Sequence, residues 1–131
     1  MTVIIGGAYQ GKLEYALERF GLAAESEKDV YRCSDTDTSL PQGKICYEID
    51  KWILALIKCG QKSADIDQAI IEFSEKNPDA IIICNDIFCG VVPMGADMRA
   101  WREAVGRSMV KLSKSAREVV RVFCGIPTRL K

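Results

Sequence analysis

Short β-branched stretches alternate along this chain with longer stretches whose apolar residues recur every three or four positions. Thr2-Val3-Ile4-Ile5 runs into Gly6-Gly7, the pattern of a buried strand entering a tight loop. Lys12 to Phe20 reads as a helix, with Tyr15, Ala16, Arg19 and Phe20 three and four apart and Gly21 as its stop. Asp29 to Arg32 predicts a second strand. Cys33 to Gly43, rich in Ser, Thr, Asp, Pro and Gly, predicts a loop. Ile49, Trp52, Ile53, Leu56 and Ile57 trace one helical face, which Gly60 closes. Ser63 predicts the cap of a third helix whose face is Ile66, Ala69, Ile70 and Phe73, ending at Asn77-Pro78. Ala80 to Cys84 predicts a central strand, and Asn85, Asp86 and Gly90 the loop after it. Asp97 opens a long helix carrying Met98, Trp101, Val105, Leu112 and Ala116 on one side. Val119 to Cys124 is the last predicted strand, closed by Gly125-Ile126-Pro127.

Strands of this buried character, separated by helices, argue for an α/β fold with a mainly parallel sheet and helices on both faces. Such sheets take ligands at the carboxyl ends of their strands, so the loops after Ile5 and Cys84 should open on one edge. No repeat, low-complexity tract or linker interrupts the pattern, and residues 1–131 read as one domain.

Charge removes several function classes. The 18 basic and 18 acidic residues cancel, so no global field draws the chain to nucleic acid or an anionic membrane. Apolar runs such as Ile81 to Cys84 are too short to span a bilayer. The chain enters its first strand without a basic leader or cleavage site, so the expected compartment is the cytoplasm. Its six cysteines form no C-x-x-C pair. Cys84 and Cys124 sit in apolar runs and read as small hydrophobes, which argues against a disulfide framework or a zinc site. Histidine is absent, which excludes Ser-His and Cys-His catalysis.

One motif carries chemistry. Gly6-Gly7-Ala8-Tyr9-Gln10-Gly11-Lys12 fits G-x-x-x-x-G-K between a strand and a helix, the setting of a phosphate loop. Its glycines let successive backbone N–H groups curl into an anion nest, and the helix N-terminus adds positive potential. Lys12 would reach the β and γ phosphates of a bound nucleotide. The alternative is a glycine-rich turn without a ligand. The next position, Leu13, departs from the pattern, which asks for a hydroxyl that coordinates magnesium. A leucine leaves the cradle and lysine intact but leaves magnesium an open question. The fold expected from this loop is a three-layer P-loop NTPase-like domain.

Both ends of the sequence resemble the bifunctional adenosylcobinamide kinase/adenosylcobinamide-phosphate guanylyltransferase family of cobalamin biosynthesis. At one end stands Gly6-Gly7-Ala8-x-x-Gly11-Lys12. At the other, Asn85-Asp86 with Gly90-Val91-Val92-Pro93 is similar to the family's N-E-x-x-x-G-x-V-P stretch. Arg99, Arg102, Gly106 and Gly125-Ile126-Pro127-x-x-x-Lys131 continue in the same order, and Trp52 resembles a tryptophan in the family's middle. The likeness covers roughly Thr2 to Phe20 and Ile81 to Lys131, and the centre poorly. Tyr9, Gln10 and Leu13 replace the usual Arg, Ser and Ser; Tyr47 stands where an aspartate is expected, beside Glu48; Met109 replaces an asparagine. The family's guanylylated histidine has no counterpart here.

The resemblance implies a shortened, divergent relative that binds GTP or ATP at residues Gly6 to Leu13. It implies phosphoryl transfer to a cobinamide hydroxyl, and no guanylyl transfer through a histidine. Asp86 would anchor a metal through water or accept the hydroxyl proton; its alternative is an acidic turn residue capping a backbone N–H. Arg99 and Arg102 would clamp phosphate oxygens, or else form a solvated helix face. A rival reading is a non-catalytic domain that senses nucleotide or assembles with a partner, and a third is a kinase for an unrelated small molecule. Self-association is left open.

Overall fold

The computed structural model describes residues 1–23 and 29–131. Its elements run β1 (Thr2–Gly6), α1 (Lys12–Phe20), β2 (Val30–Arg32), β3 (Ile45–Tyr47), α2 (Ile49–Lys58), α3 (Ser63–Lys76), β4 (Ile81–Asn85), α4 (Ala96–Ser115), β5 (Glu118–Phe123) and β6 (Ile126–Arg129). The strands form one sheet in the order β2-β3-β4-β1-β5-β6. Every pairing is parallel except that of β6 with β5. This is the α/β, P-loop NTPase-like architecture expected from the pattern.

The period-two alternation of the strands divides the core in two. Val3, Cys46, Ile82, Cys84 and Val119 pack against α2, α3 and α4 on one face. Ile4, Ile45, Ile81, Ile83, Val120 and Val122 pack against α1 on the other, where Ala16 is buried and Leu13 and Leu17 half-buried. Because the side chains on a strand alternate faces, burying both faces requires continuous apolar strands, and β4 reads Ile-Ile-Ile-Cys for that reason.

Several expectations are corrected. Ile45–Tyr47 forms a strand not read from the sequence, because three residues leave no room for a period to show. Val119 to Cys124 is not the last strand. Ile126–Arg129 turns back antiparallel on the sheet edge, where Pro127 is tolerated. Cys124 is exposed at φ 50 in that hairpin turn, rather than packed as a hydrophobe. Ser63 begins α3, but Lys62 is its cap residue, with its backbone N–H donating to Asp65 Oδ2 at 3.0 Å. Met98 is exposed, whereas Val105, Leu112 and Ala116 are buried as expected, together with Ala104, Ser108 and Met109. On α1, Arg19 and Phe20 face solvent.

The buried thiols give a prediction. Burial pushes Cys46 up to about 12 and holds Cys33 and Cys84 well above the usual range. Between the free thiol value and these raised ones, the folded chain keeps protons that the unfolded chain has lost. Their stabilisation is therefore present below about pH 9 and lost as pH rises through 12. Lys12, lowered by burial, works in the opposite sense. The unfolding free energy from urea titrations should fall between pH 9 and 11 by on the order of a few kcal/mol in all. Cys46→Ala should flatten that slope; an unchanged slope would count against a titrating Cys46.

Candidate functional site

β1 ends at Gly6 because nothing larger fits: a Cβ there would lie 2.2 Å from the Val122 carbonyl oxygen of β5. The chain then turns through 7–11, with Tyr9 at φ 57 and Gly11 at φ 81, the left-handed region that favours glycine. Gly11 caps α1 without a side-chain hydrogen bond, leaving the first N–H groups of the helix without a side-chain partner from the cap. Tyr9 is fully exposed. Gln10 ties the loop sideways: its Oε1 accepts from the Cys124 N–H at 2.5 Å, and its carbonyl from the Gly125 N–H at 3.0 Å. The unread β5–β6 hairpin thus braces the loop.

Register brings the second loop alongside. Gly6 pairs with Asn85, and the Asp86 N–H donates to the Gly6 carbonyl at 3.2 Å. Lys12 turns back over this junction. Its Nζ donates to the Gly7 carbonyl at 2.5 Å and to Asn85 Oδ1 at 2.9 Å, and the side chain is 4 % exposed. Burial lowers its pKa, while Asp50 and Asp86 pull it back up. Asp50, on the first turn of α2, was not singled out in the sequence. It is 2 % exposed, and its carboxylate accepts from the Asn85 backbone N–H at 3.0 Å and from Asn85 Nδ2. Burial pushes Asp50 up, with the bonds from Asn85 opposing.

Around these groups opens a cleft of roughly 760 Å³. Ala8 to Leu13 form one wall; Tyr47, Glu48, Asp50, Asn85 and Asp86 form the other. Lys12 and Asp86, expected to work together, do share this cleft. Among the described residues, no side-chain hydrogen bond holds the Asp86 carboxylate, so the alternative of a backbone cap is not seen. Glu48 sits at φ 62, and its Oε2 accepts from Arg32 at 3.3 Å and Lys51 at 3.0 Å. Leu13 lines the cleft while packing against the Ile4–Val122 side of the core.

Arg99 and Arg102 are not brought to the loop. Arg102 donates to the carbonyls of Phe88 at 3.0 Å and Gly90 at 2.9 Å, and Arg99 to those of Pro93 and Met94. They pin the segment after β4 onto α4 and line a separate cavity with Phe88 and Val92.

A helix N-terminus without a side-chain cap, a buried ammonium and nearby carboxylates can hold an anion and move a proton. Leu13 offers no oxygen to a magnesium ion, while the Asp86 carboxylate lines the same cleft. No helix among them is long and apolar enough to cross a membrane.

The family model described as cobinamide kinase/cobinamide phosphate guanyltransferase matches residues 43–130. The match runs from β3 through β6, including the centre where the resemblance was weakest. It begins after the 6–13 loop, so loop and match are separate observations. No curated protein matches the chain.

Proposed function

Because the chain belongs to the cobinamide kinase/cobinamide phosphate guanyltransferase family, we propose that it binds a purine nucleoside triphosphate, GTP or ATP, in the cleft beside Lys12 and serves a cobinamide kinase-type reaction. The observation that carries this reading is the convergence of three features at one strand edge: the uncapped N-terminus of α1, the buried Lys12 ammonium, and Asp86 facing the same cleft. The β and γ phosphates would lie in the loop and accept the third N–H of the Lys12 ammonium, beside the two given to Gly7 and Asn85. In the transfer, the bond from the γ phosphorus to the β–γ bridging oxygen breaks and one to the cobinamide hydroxyl oxygen forms. The hydroxyl proton passes to Asp86, and the nucleoside diphosphate leaves.

Leu13 favours a second reading, a nucleotide-sensing or assembly domain that has kept the fold. Its side chain is committed to the apolar core on the α1 face and supplies no oxygen to a metal. Calorimetry with GTP and ATP, with and without magnesium, separates the readings. Weak binding that magnesium barely alters would favour the second reading, and Leu13→Ser should then make affinity magnesium-dependent by roughly tenfold. Strong magnesium dependence in the natural chain, together with phosphorylation of a cobinamide, would overturn the binding-only reading. No heat at millimolar nucleotide would overturn both.

A further inference from the structure

We propose that Asp50 is a positioning residue for Lys12, acting through the side-chain amide of Asn85. The inference rests on the nucleotide reading only for what Lys12 is positioned to meet.

A carboxylate only accepts hydrogen bonds, an ammonium only donates, and an amide does one at each end. Asp50 takes both bonds that Asn85 can give toward it, from the backbone N–H at 3.0 Å and from Nδ2 at 3.2 and 3.3 Å. That turns Oδ1 of Asn85 toward Lys12, which donates to it at 2.9 Å. The opposite amide orientation would set Nδ2 against an ammonium and Oδ1 against a carboxylate. Its orientation is thus decided from both sides.

Three elements are joined this way: α2 through Asp50, β4 through Asn85 and α1 through Lys12. The Trp101 indole of α4 donates to the Asp50 carbonyl at 2.7 Å and secures the first turn of α2. Two buried charges offset each other across one amide without touching. An ammonium has three N–H donors; here two go to Gly7 and Asn85, which leaves the third for an incoming anion. A direct Lys–Asp pair would hold the ammonium back more strongly. The charged and titratable groups around Lys12 are Asp50 and Glu48 at the start of α2, Cys84 on β4 and Asp86 after it.

Asp50→Asn tests this. The new amide would keep a bond from the Asn85 backbone, but its own N–H groups would face those of Asn85 and turn that amide over. The double variant Asp50→Asn/Asn85→Asp restores the match, with the amide now at position 50 and a carboxylate at 85. The first readout needs no ligand: the Lys12 ammonium titration, followed by NMR of labelled lysine. Its midpoint should fall in Asp50→Asn and return to the natural value or above in the double variant. The second readout is GTP affinity without magnesium, expected to fall about tenfold in Asp50→Asn, the scale of one hydrogen bond to a charged group. If Asp50→Asn does not fold, Asn85→Ala cuts the same connection and should lower the same midpoint. Loss of the Asp50 charge lowers the midpoint by itself, so Asn85→Ala, which keeps that charge and cuts the connection, decides. An unmoved Lys12 midpoint in Asn85→Ala, or unmoved GTP affinity in Asp50→Asn, overturns the proposal. If the natural chain binds no GTP, the nucleotide reading fails, while the titration still decides whether Asp50 positions Lys12.

Discussion

Replacing Gly6 with alanine is expected to cost the chain about 3 kcal/mol or more of stability, lowering the thermal midpoint by about 10 °C. The reason is space, since the backbone at Gly6 is not left-handed. An added Cβ would stand 2.2 Å from the Val122 carbonyl oxygen and 3.3 Å from its carbon. Both belong to the backbone of β5, which is held in register with β1 from Thr2–Glu118 to Ile5–Arg121. A flexible side chain could move aside; a paired strand cannot without giving up ladder bonds. The damage would fall where β1 enters the loop, so Gly6→Ala should also lose whatever nucleotide binding the natural chain has. Gly106→Ala is the matched control. A Cβ there meets Phe88 Cβ at 3.5 Å, ordinary contact, and alanine is the better helix former by roughly 1 kcal/mol. Urea unfolding should show the two substitutions moving in opposite directions. A Gly6→Ala chain as stable as the natural one would mean that β5 yields at Val122.

What could be read before folding was what is local. β1, the loop and α1 lie within twenty residues, and their signals are a β-branched run, glycine spacing and a helical period. β4 and the apolar faces of α2 and α3 were legible for the same reason. β3 and β6 were not. One is three residues long, and the other is fully exposed, contains Pro127 and exists only through its pairing with β5. At the cleft, Lys12 was named by its motif, but its partners were not, since Asn85 lies 73 residues away and Asp50 reaches Asn85 across 35. A signal was present at Asp50, an acid between the core positions Ile49 and Trp52 of an amphipathic helix, where burial demands a partner. Arg99 and Arg102 illustrate the converse. Their spacing on a helix suits a phosphate clamp, yet tertiary structure offers them nearer acceptors in the carbonyls of Phe88, Gly90, Pro93 and Met94.

Lys12→Ala is expected to weaken GTP or ATP binding by about a hundredfold, and to destabilise the fold in a pH-dependent way. The first effect follows from removing the cation that the loop itself supplies, together with its charge-assisted hydrogen bond. The second follows from what stays behind. Asp50 is buried, and without Lys12 its charge is offset by dipoles alone, an arrangement that costs up to about 3 kcal/mol near neutral pH. Burial already raises the Asp50 pKa above its unfolded value in the natural chain, and losing the ammonium raises it further. A raised carboxyl favours the folded state below the unfolded value, and that advantage is lost as pH rises through the raised one. The stability gap between natural and variant chains should therefore be small near pH 4 and widen toward pH 7. Lys12→Met, which keeps most of the apolar stem, should show the same pH trend with less lost packing. Urea denaturation of the three chains across that range is the measurement, alongside nucleotide titration at pH 7. A gap that stays constant from pH 4 to 7 would show that the Asp50 charge does not depend on Lys12. Unaltered nucleotide affinity in Lys12→Ala would remove the loop as the place where the triphosphate is held.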